Sequence, residues 1–291
     1  MRVVLLFAVA VGLFSIQNIC FKQFNRRFMA GPACYFVFSA MYFTLIAGIF
    51  AGLGVDAAYF TAPVVLLGLL FAVSFICAMF FYMKAMEHGP LGLSFLFFSA
   101  GMIWPILFGV LAYGEPAPPH KAAGLLLLFT AFYFTAREPG AGAQLNRKWA
   151  VYILSGMCCN GVIGVAQKLF RAIAPNEAVN EFLFLSFAQA AVVAFVAGAV
   201  WVLIKKETLA GFRHLHFVWV VLGAAISTAG GNFAIIALSL SISALVQFPV
   251  MNGALAIASI FISRILFKET ITKNHMRAII IGLVAVVVIS A

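Results

Sequence analysis

The fold prediction for this chain rests on residues 244–291, which read ALVQFPVMNGALAIASIFISRILFKETITKNHMRAIIIGLVAVVVISA. The stretch begins as an apolar helix that Pro249 interrupts near its start, and that helix ends at the charged corner FKET, residues 267–270. A basic segment then leads into a second apolar helix at residues 277–290. Two apolar segments joined by a short polar corner are typical of a helical hairpin in a membrane.

The same plan occurs earlier in the chain. Residues 91–113 are apolar and contain Pro105, the pair Gly114-Glu115 forms the corner, and residues 122–136 are apolar again. An offset of 154 residues, 269 minus 115, aligns Glu115 with Glu269. Although few residues are identical in the two copies, the shared order of helix, proline, acidic corner and helix indicates an internal duplication.

The composition indicates that such hairpins fill the chain. Hydrophobic residues make up 65% of the 291 residues and charged residues only 9%, whereas roughly a quarter of a soluble domain is charged. A bilayer span needs about 20 apolar residues. The chain therefore reads as an all-α membrane protein and not as a secreted soluble protein with one signal peptide. We predict ten transmembrane helices, at residues 3–24, 33–53, 61–83, 91–113, 122–136, 149–170, 179–204, 217–238, 244–267 and 277–290.

The ten predicted spans divide into two halves of five. Residues 1–136 form the first five-helix repeat, residues 137–148 a polar linker, and residues 149–291 the second repeat. Because five is odd, the second repeat must enter the membrane upside down relative to the first. We therefore expect two inverted repeats in one integrated membrane domain, an arrangement found in many transporters.

Basic residues give an orientation. Most lysines and arginines fall in the gaps after the first, third, fifth, seventh and ninth spans. Cytoplasmic loops carry such an excess, so we expect these loops in the cytoplasm and both termini outside, in a bacterial inner (cell) membrane. The net charge of +10 then reflects loop bias and does not indicate binding to nucleic acid. The five cysteines lack the spacing of a metal site, and we predict neither a metal nor a cofactor.

The chain resembles the drug/metabolite transporter superfamily, in its ten-helix EamA-like branch. The resemblance covers the whole chain and rests on the five-plus-five plan and on two corners, LAYGE at residues 111–115 and ILFKE at residues 265–269. The second corner, followed by a basic stretch and by Gly282 in the last helix, matches better, since a proline cluster follows the first. The resemblance implies a permease in which the first, third, fourth, sixth, eighth and ninth helices surround a central cavity.

Polar residues inside the predicted spans are the candidates for substrate binding. No carboxylate lies in the middle of a span, which argues against proton-coupled export of lipophilic cations, because a buried carboxylate is their natural counter-charge. Amides, a hydroxyl, two lysines and a tryptophan remain as candidate substrate-binding residues, namely Ser15, Asn18, Lys22, Asn160, Gln167, Lys168, Asn232, Gln247, Asn252 and Trp104.

Each of these residues has two open interpretations. A membrane amide can tie helices together, and Lys22 and Lys168, which an offset of 146 residues aligns, can snorkel to a headgroup. Alternatively, the lysines offer positive charge to a carboxylate or phosphate, the amides bind polar groups, and Trp104 contributes to an aromatic wall. The amides together favour a polar, uncharged or zwitterionic ligand.

Two prolines and two glutamates recur in the repeats. Pro105 and Pro249 cannot donate to Gly101 and Leu245, so both helices should bend there, either as hinges for alternating access or as static kinks. Glu115 and Glu269 are predicted structural corners, because a carboxylate before a helix caps free N–H groups. Proton coupling is the alternative for these glutamates.

No enzyme motif is present, neither a nucleophile elbow nor a P-loop nor HExxH, and we predict that the chain is not an enzyme. The predicted function is secondary active transport of a small polar or zwitterionic metabolite by alternating access, with export of an amino-acid-like compound favoured. The alternatives are a lipophilic drug efflux pump, or a non-transporting lipid-binding or lipid-carrier flippase protein. The expected partners are a small-molecule substrate and membrane lipids, and the expected state is a monomer.

Overall fold

The computed structural model describes residues 2–28, 31–88, 94, 97–136, 147–174, 178–205, 215–239, 241–267 and 273–290. All regular secondary structure within these residues is helical. The α-helices are, in chain order, α1 (Arg2–Arg27), α2 (Pro32–Gly52), α3 (Ala62–His88), α4 (Ile103–Tyr113), α5 (Pro119–Ala136), α6 (Arg147–Ile173), α7 (Val179–Lys205), α8 (Leu215–Ser239), α9 (Ala244–Phe267) and α10 (Lys273–Ser290).

Six of these helices, α1, α2, α3, α6, α7 and α8, are long and apolar enough to cross a membrane. A helix rises 1.5 Å per residue, so about 20 residues match a hydrocarbon core of about 30 Å. Shorter apolar helical stretches lie at Phe97–Tyr113, Ala244–Ala258 and Met276–Ile289. Helices of this length and composition are those of a multi-pass membrane protein.

Most helix boundaries lie within a turn of the predicted ones, and the exceptions have local causes. α5 begins at Pro119 and α10 at Lys273, so both extend into the polar segments before the predicted spans. Proline suits the first turn of a helix, where its missing N–H is not needed. Residues 91–93, 95 and 96 of the predicted span 91–113 lie outside the described residues, and the described remainder is not one continuous α-helix. A 3₁₀ turn at Ala100–Met102 precedes α4, and Pro105 leaves the Gly101 carbonyl without its i+4 donor.

The described residues form two compact units, and each unit combines segments from both halves of the sequence. The first unit comprises Met1–Ile76 and Leu169–Ala237. Within it α2 packs along α7, and the core is largely aromatic. The Phe43 ring lies 5.6 Å from the Phe75 ring and 6.0 Å from the Phe187 ring, measured between centroids. Phenylalanines of α2, α3 and α7 therefore fill the space between these helices.

The second unit comprises Cys77–Lys168 and Leu238–Ala291. Within it α5 packs along α10, and α9 contacts both. The close approach of α5 to α10 depends on Gly124, since a Cβ there would lie 3.2 Å from the carbonyl oxygen of Ala285. The apolar core of this unit comprises Met102, Ile106, Leu128, Phe132, Ala244, Leu245, Phe248, Ala256 and Ala285.

Candidate functional site

The acidic corner after α4 is built by backbone geometry. Gly114 ends the helix with φ +62°, a left-handed conformation that glycine adopts without strain. The N–H of Gly114 donates to the Val110 carbonyl, and the N–H of Glu115 donates to the Gly109 carbonyl, both at 3.1 Å. The Glu115 side chain turns back against α4, because a Cβ built on Gly109 would lie 2.8 Å from Oε2 of Glu115.

Glu115 and Lys168 form an ion pair in the second unit. The Lys168 Nζ on α6 donates to Oε1 of Glu115, and the two side chains are only 9% and 14% exposed, respectively. Oε2 of Glu115 accepts a hydrogen bond of 2.8 Å from the backbone N–H of Ala244, the first residue of α9. One carboxylate thus joins the end of α4, the side of α6 and the start of α9.

The electrostatics of this cluster favour the charged pair. The N-terminus of a helix carries a partial positive charge, so α9 adds to the attraction that Lys168 exerts on the carboxylate. Ionisable side chains within apolar helices are costly unless they are paired, and they commonly mark substrate or ion pathways. The prediction for Glu115 was a cap on the helix that follows it. The structure instead places its carboxylate at the start of α9.

Other predicted substrate-binding residues of the second unit are held by hydrogen bonds. Gln247 is buried, and its Oε1 accepts from the Ser239 hydroxyl at 3.1 Å. Asn252 donates to the Phe248 carbonyl of its own helix at 2.8 Å. Gln167, also buried, directly precedes Lys168 on α6.

The packing of α4 on α6 involves three more of the predicted residues. Asn160 donates from Nδ2 to the Phe98 carbonyl at 3.0 Å, just before the 3₁₀ turn. Trp104, which is 43% exposed, lies directly against Gly161, and Pro105 lies against Gly164, where a Cβ would come within 2.8 Å of the proline Cγ. Asn160 therefore supplies a donor to the backbone where the helix becomes irregular.

The two predicted hinge prolines differ in their surroundings. Pro105 follows the 3₁₀ turn at Ala100–Met102, whereas α9 is helical on both sides of Pro249. Both prolines are buried. The helix type thus changes just before Pro105, and the hinge role of both prolines stays a prediction. Glu269, the second predicted corner, lies outside the described residues.

The candidates of the first unit differ in exposure. Ser15 is buried and donates to the Val11 carbonyl at 2.7 Å, Lys22 is half-buried, and Asn18 is exposed. Asn232 on α8 is buried and donates to the Thr228 carbonyl at 3.0 Å. The three candidate residues of α1 therefore have three different environments.

A hydrogen-bonded chain in the first unit includes two residues that the sequence analysis missed. Gln17 of α1 donates to the Tyr42 hydroxyl at 3.0 Å, and Tyr42 of α2 donates to the Thr228 hydroxyl at 2.6 Å. Tyr42 is 1% exposed. Gln17 was detectable as an amide within an apolar span, since such groups need partners. Tyr42 was detectable by its position, because it lies near the middle of the predicted span 33–53, whereas interfacial tyrosines lie near the ends of spans.

An apolar gap in the second unit lies between α5, α9 and α10. None of the predicted substrate-binding residues lines this gap, so it does not belong to the candidate site. Its walls are Leu128, Ala131, Phe132, Gly253, Ala256, Ile257, Ala278 and Gly282.

Comparisons with known proteins bear on the fold. No protein-family model matches the chain, and no curated protein matches it. Among solved structures, 28 chains are similar. One of these, a crystal structure, aligns over 99% of this chain and 96% of its own, with a TM-score of 0.76 and 18% sequence identity. At this identity the likeness shows a shared fold.

Proposed function

We propose that this chain is a secondary active transporter that moves a small polar or zwitterionic metabolite across the cell membrane. The observation that carries the proposal is the ion pair between Lys168 and Glu115, which is largely buried among apolar helices. A protein that only packs helices together does not need two opposite charges there, because an apolar pair of similar volume is often as stable or more so. A transporter of charged or polar molecules needs such groups.

The opposite charges of Lys168 and Glu115 also favour one class of substrate. A zwitterion carries both a carboxylate and an ammonium group, so its carboxylate can replace Glu115 at Lys168 while its ammonium binds Glu115. An uncharged lipophilic compound has no use for either charge. The proposed substrate is therefore an amino-acid-like metabolite, and export is the favoured direction.

The proposed architecture is that of the EamA-like branch of the drug/metabolite transporter superfamily, with ten spans in two inverted repeats. The helix pairing supports this proposal. α2 packs along α7, and α5 packs along α10. These are the second and the fifth helices of the two proposed halves, so each packs against its own counterpart, as expected where a two-fold axis between the repeats passes between the paired helices. The basic loops lie in the cytoplasm and both termini outside.

The first test is a thermal-shift screen of the purified chain in detergent against amino acids, nucleosides, organic acids, vitamins and cationic dyes. A ligand that binds the folded state raises the melting temperature by mass action. We expect a zwitterionic metabolite to stabilise the wild type and to lose this effect in Lys168→Gln, with Asn18→Ala and Asn252→Ala testing the amides. Lys148→Gln, an exposed lysine on the same helix, is the matched control.

The screen is followed by transport of the same compound in proteoliposomes. Counterflow of the labelled metabolite should occur with the wild type and with Lys148→Gln and should fall at least about tenfold with Lys168→Gln. Stabilisation by lipophilic cations alone, unchanged in the variants, would instead favour a drug efflux pump. Stabilisation by lipids alone would favour a lipid-binding or lipid-carrier flippase protein.

A further inference from the structure

The start of α7 holds the end of α2 through two side chains of the first unit. Asn180 donates from Nδ2 to the Phe50 carbonyl at 3.1 Å and also to the Gly54 carbonyl. Glu181 accepts at Oε1 from the backbone N–H of Asp56 at 3.0 Å. These contacts place an amide and a carboxylate, adjacent in sequence, beside the carbonyl end of α2.

Each of these side chains keeps one oxygen without a donor. Oε2 of Glu181 and Oδ1 of Asn180 are buried, and neither accepts a hydrogen bond anywhere in the described part of the protein. Glu181 as a residue is only 5% exposed. Buried acceptors are nearly always satisfied, and an unsatisfied carboxylate oxygen is the most costly kind. Two such oxygens on neighbouring residues indicate a missing positive ligand.

Charges of both signs surround Glu181, which lies in the first turn of α7 and therefore at the positive end of that helix dipole. Asp56 brings a second carboxylate, which is exposed and accepts from the Ala58 N–H at 2.9 Å. The last carbonyls of α2 form the negative end of the helix dipole. Glu181 forms no ion pair within the described residues, and the guanidinium of Arg171 lies over the Phe170 ring, 5.9 Å from its centroid. Oε2 of Glu181 and Oδ1 of Asn180 thus have no side-chain donor within the described residues.

We propose that Glu181 and Asn180 bind a sodium ion at the junction of α2 and α7. Oε2 of Glu181 and Oδ1 of Asn180 are the side-chain ligands, and Asp56 supplies an exposed negative charge at the entrance. The described residues contain no group of three or more His, Cys, Asp or Glu that could hold a metal, which disfavours a divalent ion. A single buried carboxylate balances a single positive charge. Helix C-terminal ends and backbone carbonyl oxygens are groups that coordinate Na⁺ in membrane proteins.

The inference goes beyond the proposed function and does not depend on it. Binding of Na⁺ is measured without any metabolite. A failed metabolite screen therefore does not contradict the proposed sodium site, and a failed sodium test does not contradict the proposed metabolite site. If both hold, the ion at this site is a candidate for the coupling ion.

The test uses the purified full-length chain in detergent. Its melting temperature is measured in NaCl and in choline chloride at equal ionic strength, and saturable binding is measured with radiolabelled Na⁺. We expect a melting temperature that rises with Na⁺ concentration. Glu181→Gln should lower the Na⁺ affinity by about tenfold or more and flatten the sodium dependence. Glu138→Gln, which removes a carboxylate from the linker sequence, should retain it.

Three results would overturn the proposal. The first is a wild type that shows no saturable Na⁺ binding, which needs no variant to fold. The second is a Glu181→Gln protein that retains the full sodium dependence. The third is a wild type that choline chloride stabilises as much as NaCl does, because the effect would then not be specific for Na⁺.

Discussion

At the scale of single residues, Lys168 and Glu115 show how a charge is tolerated among apolar helices. The carboxylate meets an ammonium group through one oxygen and a backbone N–H through the other. Neither charge is left without a partner, so the desolvation of the pair is offset by short-range attraction. The proposed zwitterionic substrate would exchange one set of partners for another at these groups and leave no charge unpaired.

This arrangement predicts a strong coupling between the two side chains. Lys168→Met and Glu115→Gln should each destabilise the protein by about 3 kcal/mol, because each leaves a largely buried group without its partner. The double variant should be less destabilised than the sum, by about 1–3 kcal/mol. Unfolding of the purified proteins in detergent measures these free energies, with Lys148→Met as the exposed control. Additive single effects would show that the pair is not coupled.

At the scale of elements, glycines determine how closely helices approach. Gly161 of α6 leaves room for the Trp104 ring and for the Gly101 carbonyl oxygen, which would lie 2.8 Å from a Cβ at residue 161. The irregular segment before α4 depends on this contact, and Asn160 supplies its hydrogen bond one residue earlier on α6. The sequence identified Pro105 as the cause of a break in the helix. The structure shows that Asn160 and Gly161 of α6 also accommodate the irregular segment before α4.

Two glycine-to-alanine variants separate packing from helix propensity. Gly161→Ala should destabilise the protein by about 1–3 kcal/mol, since the added methyl group overlaps the Trp104 ring. Gly48→Ala on α2 has nothing within 4 Å of the new Cβ and should be neutral or stabilising by about 0.5–1 kcal/mol. Melting temperatures of both variants in one detergent provide the comparison. Equal effects at the two positions would argue against close packing of α4 on α6.

At the scale of the whole molecule, the proposed arrangement of spans fixes the side on which each loop lies. Residues 58 and 148 are separated by the third, fourth and fifth predicted spans, so they must lie on opposite sides of the membrane. In the proposed orientation, in which the basic loops are cytoplasmic, residue 148 lies in the cytoplasm. Ala58→Cys and Lys148→Cys, in a background in which the five native cysteines are replaced, test both statements.

We expect a membrane-impermeant maleimide to label Ala58→Cys in intact cells and Lys148→Cys only after permeabilisation. The reverse labelling pattern would contradict the proposed orientation. It would still agree with an odd number of spans between residues 58 and 148. Labelling of both from one side would contradict the ten-span arrangement itself. Labelling of both variants after permeabilisation is the control for reactivity.

The sequence by itself determined the helical class and most helix boundaries. Apolar runs of membrane length separated by charged corners admit few other structures, because a backbone in lipid must satisfy its own hydrogen bonds. The sequence also identified Lys168, Gln247 and Asn160 as polar groups that need partners. It could not name those partners, since Glu115 reaches Lys168 and Ala244 from 53 and 129 residues away.

Only the tertiary structure decided which polar groups meet. Tyr42 joins Gln17 to Thr228 across 25 and 186 residues, and Glu181 reaches Asp56 across 125 residues. Hydrophobic periodicity indicates which residues avoid water. Every packing of the helices that buries these residues is consistent with the same periodicity, so the pattern does not select one packing. Hydrogen bonds and ion pairs depend on directions and on distances of about 3 Å, which helix packing sets. The class of the protein therefore follows from its composition, whereas its candidate sites follow from how its helices pack.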